Sequence, residues 1–156
     1  MAQPENASES YILFEVAGAT YAIRSRSVQQ MEMVEHITPV PNAAAFVEGV
    51  VFSRGQVVPT VNLRRRFGFE KKELDLKTRL VVVAHEGRTV GLLVDAAREF
   101  VTIPNGAIQP PPEGLSGLSG KYLQSIAKLG ERLVLIIDVG EILNFTDLTL
   151  PALSMA

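Results

Sequence analysis

Hydrophobic and polar positions along this chain alternate over short distances and reverse at glycine-bearing turns. Tyr11–Val16 reads as a strand, and Ala17-Gly18-Ala19 turns it into a second strand over Thr20–Ile23. Ser27–Met31 reads as a short helical or bent connection into a strand running towards Ile37. Pro39 and Pro41 then keep the backbone extended and unsuited to a central strand, and Ala43–Phe46 suits one helical turn. Val47–Phe52 and Gln56–Val61 are predicted strands joined across Ser53-Arg54-Gly55, after which Asn62 caps a short helix, Leu63–Phe67, that Gly68 stops. Leu80–Ala84, Thr89–Val94 and Glu99–Ile103 follow as strands, with Glu86-Gly87 as a turn. After the irregular stretch from Pro110 to Gly120, Tyr122–Leu129 and Arg132–Ile137 form a last hairpin, and Asp138 caps a final helix through Leu143.

The pattern occurs twice. Phe46–Leu63 lies without a gap over Tyr122–Val139: an aromatic opens each copy, two strands follow, and Asn62 or Asp138 closes it at a helix start. Tyr11–Ile23 answers Arg79–Val94, and Ile37-Thr38-Pro39 is matched to Ile103-Pro104. A doubled unit of roughly 70 residues is too long for a solenoid repeat and suits a duplicated small β-unit. The fold expected is mainly β, two small five-stranded barrels with short helices. Residues 1–10 and 146–156 read as loose tails around a domain over 11–145. Its first barrel is placed at about 11–69 and its second at about 78–145, the terminal segment crossing between them, with the charged stretch Glu70–Lys77 as seam.

Composition narrows the function classes. A 156-residue chain with 47% hydrophobic and 21% charged residues is a folded globular protein. It has no cysteine, and so neither disulfides nor thiolate metal ligands. Met1–Ser10 is too polar for a signal peptide, and no apolar run approaches the roughly 20 residues of a membrane span. The formal charge of −2 is uneven, because residues 54–79 carry eight basic side chains and three acidic ones. That segment is either a face for an acidic partner or a solvated loop.

Catalytic chemistry is not indicated. His36 and His85 stand apart in different segments, so neither a metal nor a cofactor is expected. Gly114–Lys121 fails the phosphate-loop spacing, because Leu115 stands where a glycine is needed and Tyr122 follows the lysine. Glu32 and Glu35 read as solvated charges. Arg64-Arg65-Arg66 with Phe67 and Phe69 leaves open a barrel that binds single-stranded nucleic acid, although aromatics make up only 6% of the chain.

Several short motifs, taken in order, carry a resemblance over about Tyr11 to Leu143. They are Tyr21-Ala-Ile23, Val28-Gln29, Ala45-Phe46-Val47 with Gly49-Val50, Arg54-Gly55, Val58-Pro59 with Asn62-Leu63, and Arg66-Phe67-Gly68. Gly91 with Val94-Asp95, Ile108–Pro112 and Tyr122–Leu129 complete the set. In these the chain resembles the CheW family of chemotaxis coupling proteins. The resemblance implies SH3-like barrels and a non-enzymatic adaptor between the cytoplasmic tip of methyl-accepting chemoreceptors and the regulatory domain of a CheA-type histidine kinase. Such an adaptor is cytoplasmic and recruited to receptor arrays at the inner face of the membrane, with no membrane insertion and no nucleic acid. An isolated kinase regulatory domain of the same fold is the alternative.

The same resemblance implies a receptor-binding surface at Val28, Gln30, Arg54 and Gly55, with Arg54 as the functional arginine. Kinase contact through apolar strand residues suggests Leu92, Val94, Phe100 and Val101. Three positions depart from the family pattern. Phe52-Ser53 precede Arg54-Gly55 where the family turn reads Asn-Leu-Arg-Gly, Gln30 replaces a common acid, and Asn62 stands where Asp is usual. Glu32, two residues from Gln30 on the same strand face, is the expected substitute partner for Arg54.

Overall fold

Three of the four two-residue hairpin turns among the described residues share one geometry. Ala17-Gly18, Arg54-Gly55 and Glu86-Gly87 each place both residues at positive φ, between 48° and 83°. That geometry matches the twist of paired antiparallel strands, and glycine at the second position takes it without a Cβ penalty. The computed structural model describes residues 7–112 and 121–145. Its strands are β1 (Ser8–Val16), β2 (Ala19–Arg24), β3 (Val28–Met33), β4 (Val47–Ser53), β5 (Gln56–Asn62), β6 (Arg79–His85), β7 (Arg88–Val94), β8 (Ala96–Pro104), β9 (Ile108–Gln109), β10 (Leu123–Leu129) and β11 (Arg132–Ile137). The helices α1 (Leu63–Arg66) and α2 (Val139–Ile142) follow β5 and β11.

The strands form two sheets, as the mainly-β expectation requires. One runs β8-β1-β2-β11-β10-β9 and the other β3-β6-β7-β5-β4. The division at Glu70–Lys77 does not survive. The five-stranded sheet is built from Val28 to Val94, and the other combines β1 and β2 with β8 to β11. Parallel pairs decide this: β5 lies beside β7 at Thr60–Gly91, and β11 beside β2 at Ile136–Ala22. Each half of the duplication therefore lends its first hairpin to the barrel of the other half, and Glu70–Lys77 is a crossover within one barrel. Hydrophobic alternation carries no record of which distant strand pairs with which.

The duplication itself is explicit in the geometry. Asn62 N–H donates to Phe46 O at 2.7 Å, and Asp138 N–H donates to Tyr122 O at 2.8 Å. A register shift falls at Val47/Gly49 in β4 and at Leu123/Ser125 in β10, the matched positions. Asn62 and Asp138 cap α1 and α2 by accepting from Arg65 N–H and Glu141 N–H. One correspondence is corrected. Thr38 bridges Val50, whereas Gln109 pairs with Ile126, so Ile37-Thr38-Pro39 answers Ile108-Gln109-Pro110 rather than Ile103-Pro104. Two local expectations also change. Ala43–Phe46 contains turns and no helix, and Ser8–Ser10 belong to β1, paired with β8, instead of a tail. Gly114–Gly120 and the tail over 146–156 lie outside the described residues.

Strands β1 and β6 are buried on both faces, which is why each reads as an unbroken apolar run. Tyr11 and Leu13 enter the core of their own barrel with Ala22, Ile103, Val134 and Ile136. Ile12, Phe14 and Val16 face the other way, into a core shared with Val81, Val83, Leu92 and Val94 of the second barrel. On β6, Leu80 and Val82 return the pattern inwards, towards Val51 and Val58. Burial of such a side chain contributes about 2 kcal/mol, so the shared layer makes the two barrels one cooperative unit.

The crossover is held by Asp75, whose Oδ1 accepts from Lys77 N–H at 2.8 Å and Thr78 N–H at 3.2 Å. The Lys77 amide bond and the nearby Lys72 ammonium hold its carboxyl below the usual carboxylate range. A depressed folded value stabilises the turn fully above the ordinary carboxylate pKa and loses that stabilisation as pH falls through the lower, folded value. Amide exchange at Lys77 and Thr78 is expected to accelerate as pH drops below about 4, after correction for intrinsic rates. In Asp75→Ala, protection there should already be lost at neutral pH and show no further acid step.

Candidate functional site

The β4–β5 hairpin tip carries the arginine that the sequence singled out. Arg54 is exposed at φ 48°, followed by Gly55 at φ 83°. Among the described residues Arg54 has no ion pair or side-chain hydrogen bond. On β4, Val47, Gly49, Val51 and Ser53 point inwards, so Phe52 points out and is 75% exposed. Its cross-strand partner Val57 is 55% exposed, and Met33, on the rim of the same groove, is 57% exposed. The tip is thus a guanidinium beside an apolar face. This face was missed in the sequence, although the parity of β4 contains it: Phe52 falls on the even, outward set.

Strands β3 and β4 are the opposite edges of their sheet, and side chains close the seam between them. Gln30 Nε2 donates to Glu32 Oε2 at 2.6 Å and to Ser53 Oγ, and Ser53 Oγ–H donates to Glu32 Oε2 at 3.1 Å. A register shift between Val28 and Gln30 leaves Gln29 unpaired and sets Gln30 towards Ser53. The structure thus brings Gln30 next to the base of the Arg54-Gly55 turn. Glu32, expected to pair with Arg54, is engaged with Gln30 and Ser53 instead. Val28 is half-buried, paired with Val83 and packed against the shared core.

The four apolar residues suggested for a second interface separate cleanly. Leu92 and Val94 are buried in the shared core, because β7 is an inner strand covered on both faces. That is a correction: neither offers surface to a partner. Phe100 on β8 is 65% exposed, and Val101 is half-buried against the core of the first sheet.

Within the basic segment Arg66 is buried and Arg64 and Arg79 are half-buried, while Arg54, Arg65, Lys71, Lys72 and Lys77 are exposed. Arg64 Nε reaches both carboxylate oxygens of Asp95 at 2.9 Å, and Asp95 Oδ2 also accepts from Ala17 N–H at 2.8 Å, pinning the β1–β2 turn to α1. Lys71 and Lys72 pair with Glu48 and Asp75. Arg66 is buried: Nε donates to Ile142 O at 2.9 Å and a terminal nitrogen donates to Glu141 O at 3.3 Å, closing the C-terminus of α2. Its guanidinium lies 4.5 Å from the ring centre of Phe46, 4.9 Å from Tyr122 and 4.6 Å from Phe145. Burial lowers its pKa, with Tyr122 and Glu141 acting in the opposite direction. The sequence singled out Arg66 only as part of a motif and a charge cluster. Its cage is assembled from three segments distant from Arg66 and leaves no local signal.

Asn62 explains its own departure from aspartate. Its Oδ1 caps α1, while its Nδ2 donates to Glu48 Oε1 at 2.8 Å. In Asn62→Asp the two carboxylates would face each other across the same gap. A loss of about 1–2 kcal/mol is expected in urea unfolding, because a charge-assisted hydrogen bond is replaced by a repulsion. His85 lies 3.8 Å from Glu86, and among the described residues no three His, Asp or Glu side chains are grouped to hold a metal.

Comparison with known proteins decides the family. The CheW-like domain model matches residues 10–147. The chain belongs to the CheW-like family. It is 32% identical to the chemotaxis protein CheW of Bacillus subtilis (strain 168) over 136 residues, 87% of each chain. It is 27% identical to the chemotaxis protein CheW of Klebsiella aerogenes over 146 residues, 94% of this chain and 88% of that one. Among solved structures, the scaffolding protein TtCheW of Thermoanaerobacter tengcongensis superposes with a TM-score of 0.83 at 26% identity, covering 90% of this chain and 96% of that one. The two-sheet architecture of this CheW-like chain therefore matches that of a solved scaffolding protein.

Proposed function

We propose that this protein is a non-catalytic chemotaxis adaptor, which holds the cytoplasmic tip of a methyl-accepting chemoreceptor against the regulatory domain of a CheA-type histidine kinase. The observation that carries the reading is the unpaired, exposed Arg54 on a tight hairpin tip, beside the apolar face of Phe52, inside a CheW-like fold. A guanidinium fork on a rigid turn suits carboxylate and carbonyl groups of a receptor helix, and the adjacent phenyl ring supplies apolar burial. Gly55 keeps the turn, Gln30 braces it, and Val28 supports the same strand from the core. The kinase side of the reading rests on Phe100, exposed on β8 of the first sheet, with Val101 beneath it packed against the core. Work is done by coupled binding energies, with no bond made or broken. The place of action is the cytoplasm, at receptor arrays on the inner membrane face.

Binding of the nucleic-acid kind is disfavoured by the geometry of the basic segment, where Arg64 and Arg66 are committed to Asp95 and to the end of α2. The two interfaces are separable by mutation. Phe100→Asp is expected to weaken kinase binding at least tenfold in titration calorimetry and to leave receptor binding unchanged, since removal of an exposed aromatic anchor acts locally. Equal kinase affinity in this variant would move the kinase face elsewhere on the molecule.

A further inference from the structure

The seam between β3 and β4 determines the charge that the hairpin tip shows to a partner. Glu32 is the acidic side chain aimed at this seam, and one of its oxygens receives two hydrogen bonds, from Gln30 Nε2 and Ser53 Oγ–H. Gln30 is suited to this because one amide nitrogen donates to both Glu32 and Ser53. The carboxylate is thereby satisfied inside the seam, and Arg54, the next residue after Ser53, has no counter-charge among the described residues. We propose that Gln30 and Ser53 are specificity-determining residues of this surface: by holding Glu32 in the seam they keep Arg54 unpaired, so the partner accepted is one that presents a carboxylate at the hairpin tip.

The seam requires a hydrogen-bond donor at position 30. A glutamate there is acceptor-only, so it cannot donate to Glu32 or to Ser53. Residues 30 and 32 share a strand face, and two carboxylates around one serine hydroxyl cannot both be satisfied. One then turns to the neighbouring guanidinium and neutralises it. The surface of Gln30→Glu would therefore show the partner a closed ion pair where the parent shows a free cation. This rests on the receptor-binding reading, and the test separates the two.

The experiment compares the parent, Gln30→Glu, Arg54→Gln and the double variant. Affinity for a soluble cytoplasmic fragment of a chemoreceptor is measured across ionic strength. The expected result is a steep salt dependence in the parent, with affinity about tenfold lower and a flattened salt dependence in Gln30→Glu. Arg54→Gln should lower the parent's affinity about tenfold yet change Gln30→Glu by less than about twofold, because the charge is already spent. Independent, multiplying effects of the two substitutions would overturn the proposal. A second readout needs no partner: ¹⁵Nε relaxation of Arg54, expected to report a freely moving guanidinium in the parent and an immobilised one in Gln30→Glu. An immobilised Arg54 in the parent would also overturn it. If the fragment fails to bind the parent at all, the receptor reading falls, and the relaxation measurement still decides whether the seam controls Arg54.

Discussion

Arg66→Ala is expected to destabilise the protein by about 3–5 kcal/mol, measured by urea unfolding at neutral pH. The guanidinium is buried and donates to the carbonyls of Ile142 and Glu141, so its removal leaves the end of α2 with unsatisfied acceptors. It also empties a cage of three aromatic rings, Phe46, Tyr122 and Phe145, and each cation–π contact of this desolvated kind contributes about 1–2 kcal/mol. Because Arg66 belongs to α1 and the carbonyls to α2, the side chain ties together the two matched ends of the duplication. Arg66→Lys should recover less than half of the loss, since an ammonium cannot span both carbonyls and stack as a plane. A cost under about 1 kcal/mol for the alanine variant would show that the cage is geometry without energetic consequence.

Arg54→Glu is expected to lower receptor affinity by about 100-fold while leaving stability and kinase affinity unchanged. Reversing a charge against a carboxylate partner costs about 3 kcal/mol at a partly desolvated contact. Stability is spared because Arg54 has no internal partner among the described residues and its backbone geometry is set by the Arg54-Gly55 turn. The substitution is thus a clean probe of the interface, unlike one at Arg64 or Arg66. Surface plasmon resonance with receptor fragment and kinase regulatory domain, on the same preparation, reads both affinities. Unchanged receptor affinity would remove Arg54 from the interface.

Much of the fold was legible because local rules and tertiary structure agree. Gly18, Gly55 and Gly87 mark turns whose φ values need them, and Asn62 and Asp138 cap the helices that they precede. The duplication was visible in Phe46–Leu63 against Tyr122–Val139 because the same hydrogen bond, aromatic carbonyl to cap amide, recurs in both. The order of strands was not legible. Pairing of β5 with β7 and of β11 with β2 is parallel and long-range, and Val, Leu and Ile in those strands would suit either neighbour.

Candidate surfaces follow the same division. Arg54 and Gly55 were readable as a turn, since a turn is local. The expected role of Glu32 changed because Ser53 competes for it, and that competition exists only once β3 and β4 meet. Leu92 and Val94 were suggested for a kinase interface because the resemblance implies contact through apolar strand residues, but in an inner strand apolar residues are core. Phe52 shows the reverse case: an apolar side chain on the outward parity of a strand is a surface feature, and parity alone suffices to find it.

The proposed role is to bridge receptor and kinase. The most direct test is co-sedimentation of a CheA-type kinase with chemoreceptor-bearing membrane vesicles, with and without the protein. Kinase is expected to enter the pellet in proportion to added protein, and Arg54→Glu to abolish this while the protein still binds kinase in solution. Sedimentation of the kinase that is unchanged by the protein, or equally supported by Arg54→Glu, would contradict that role.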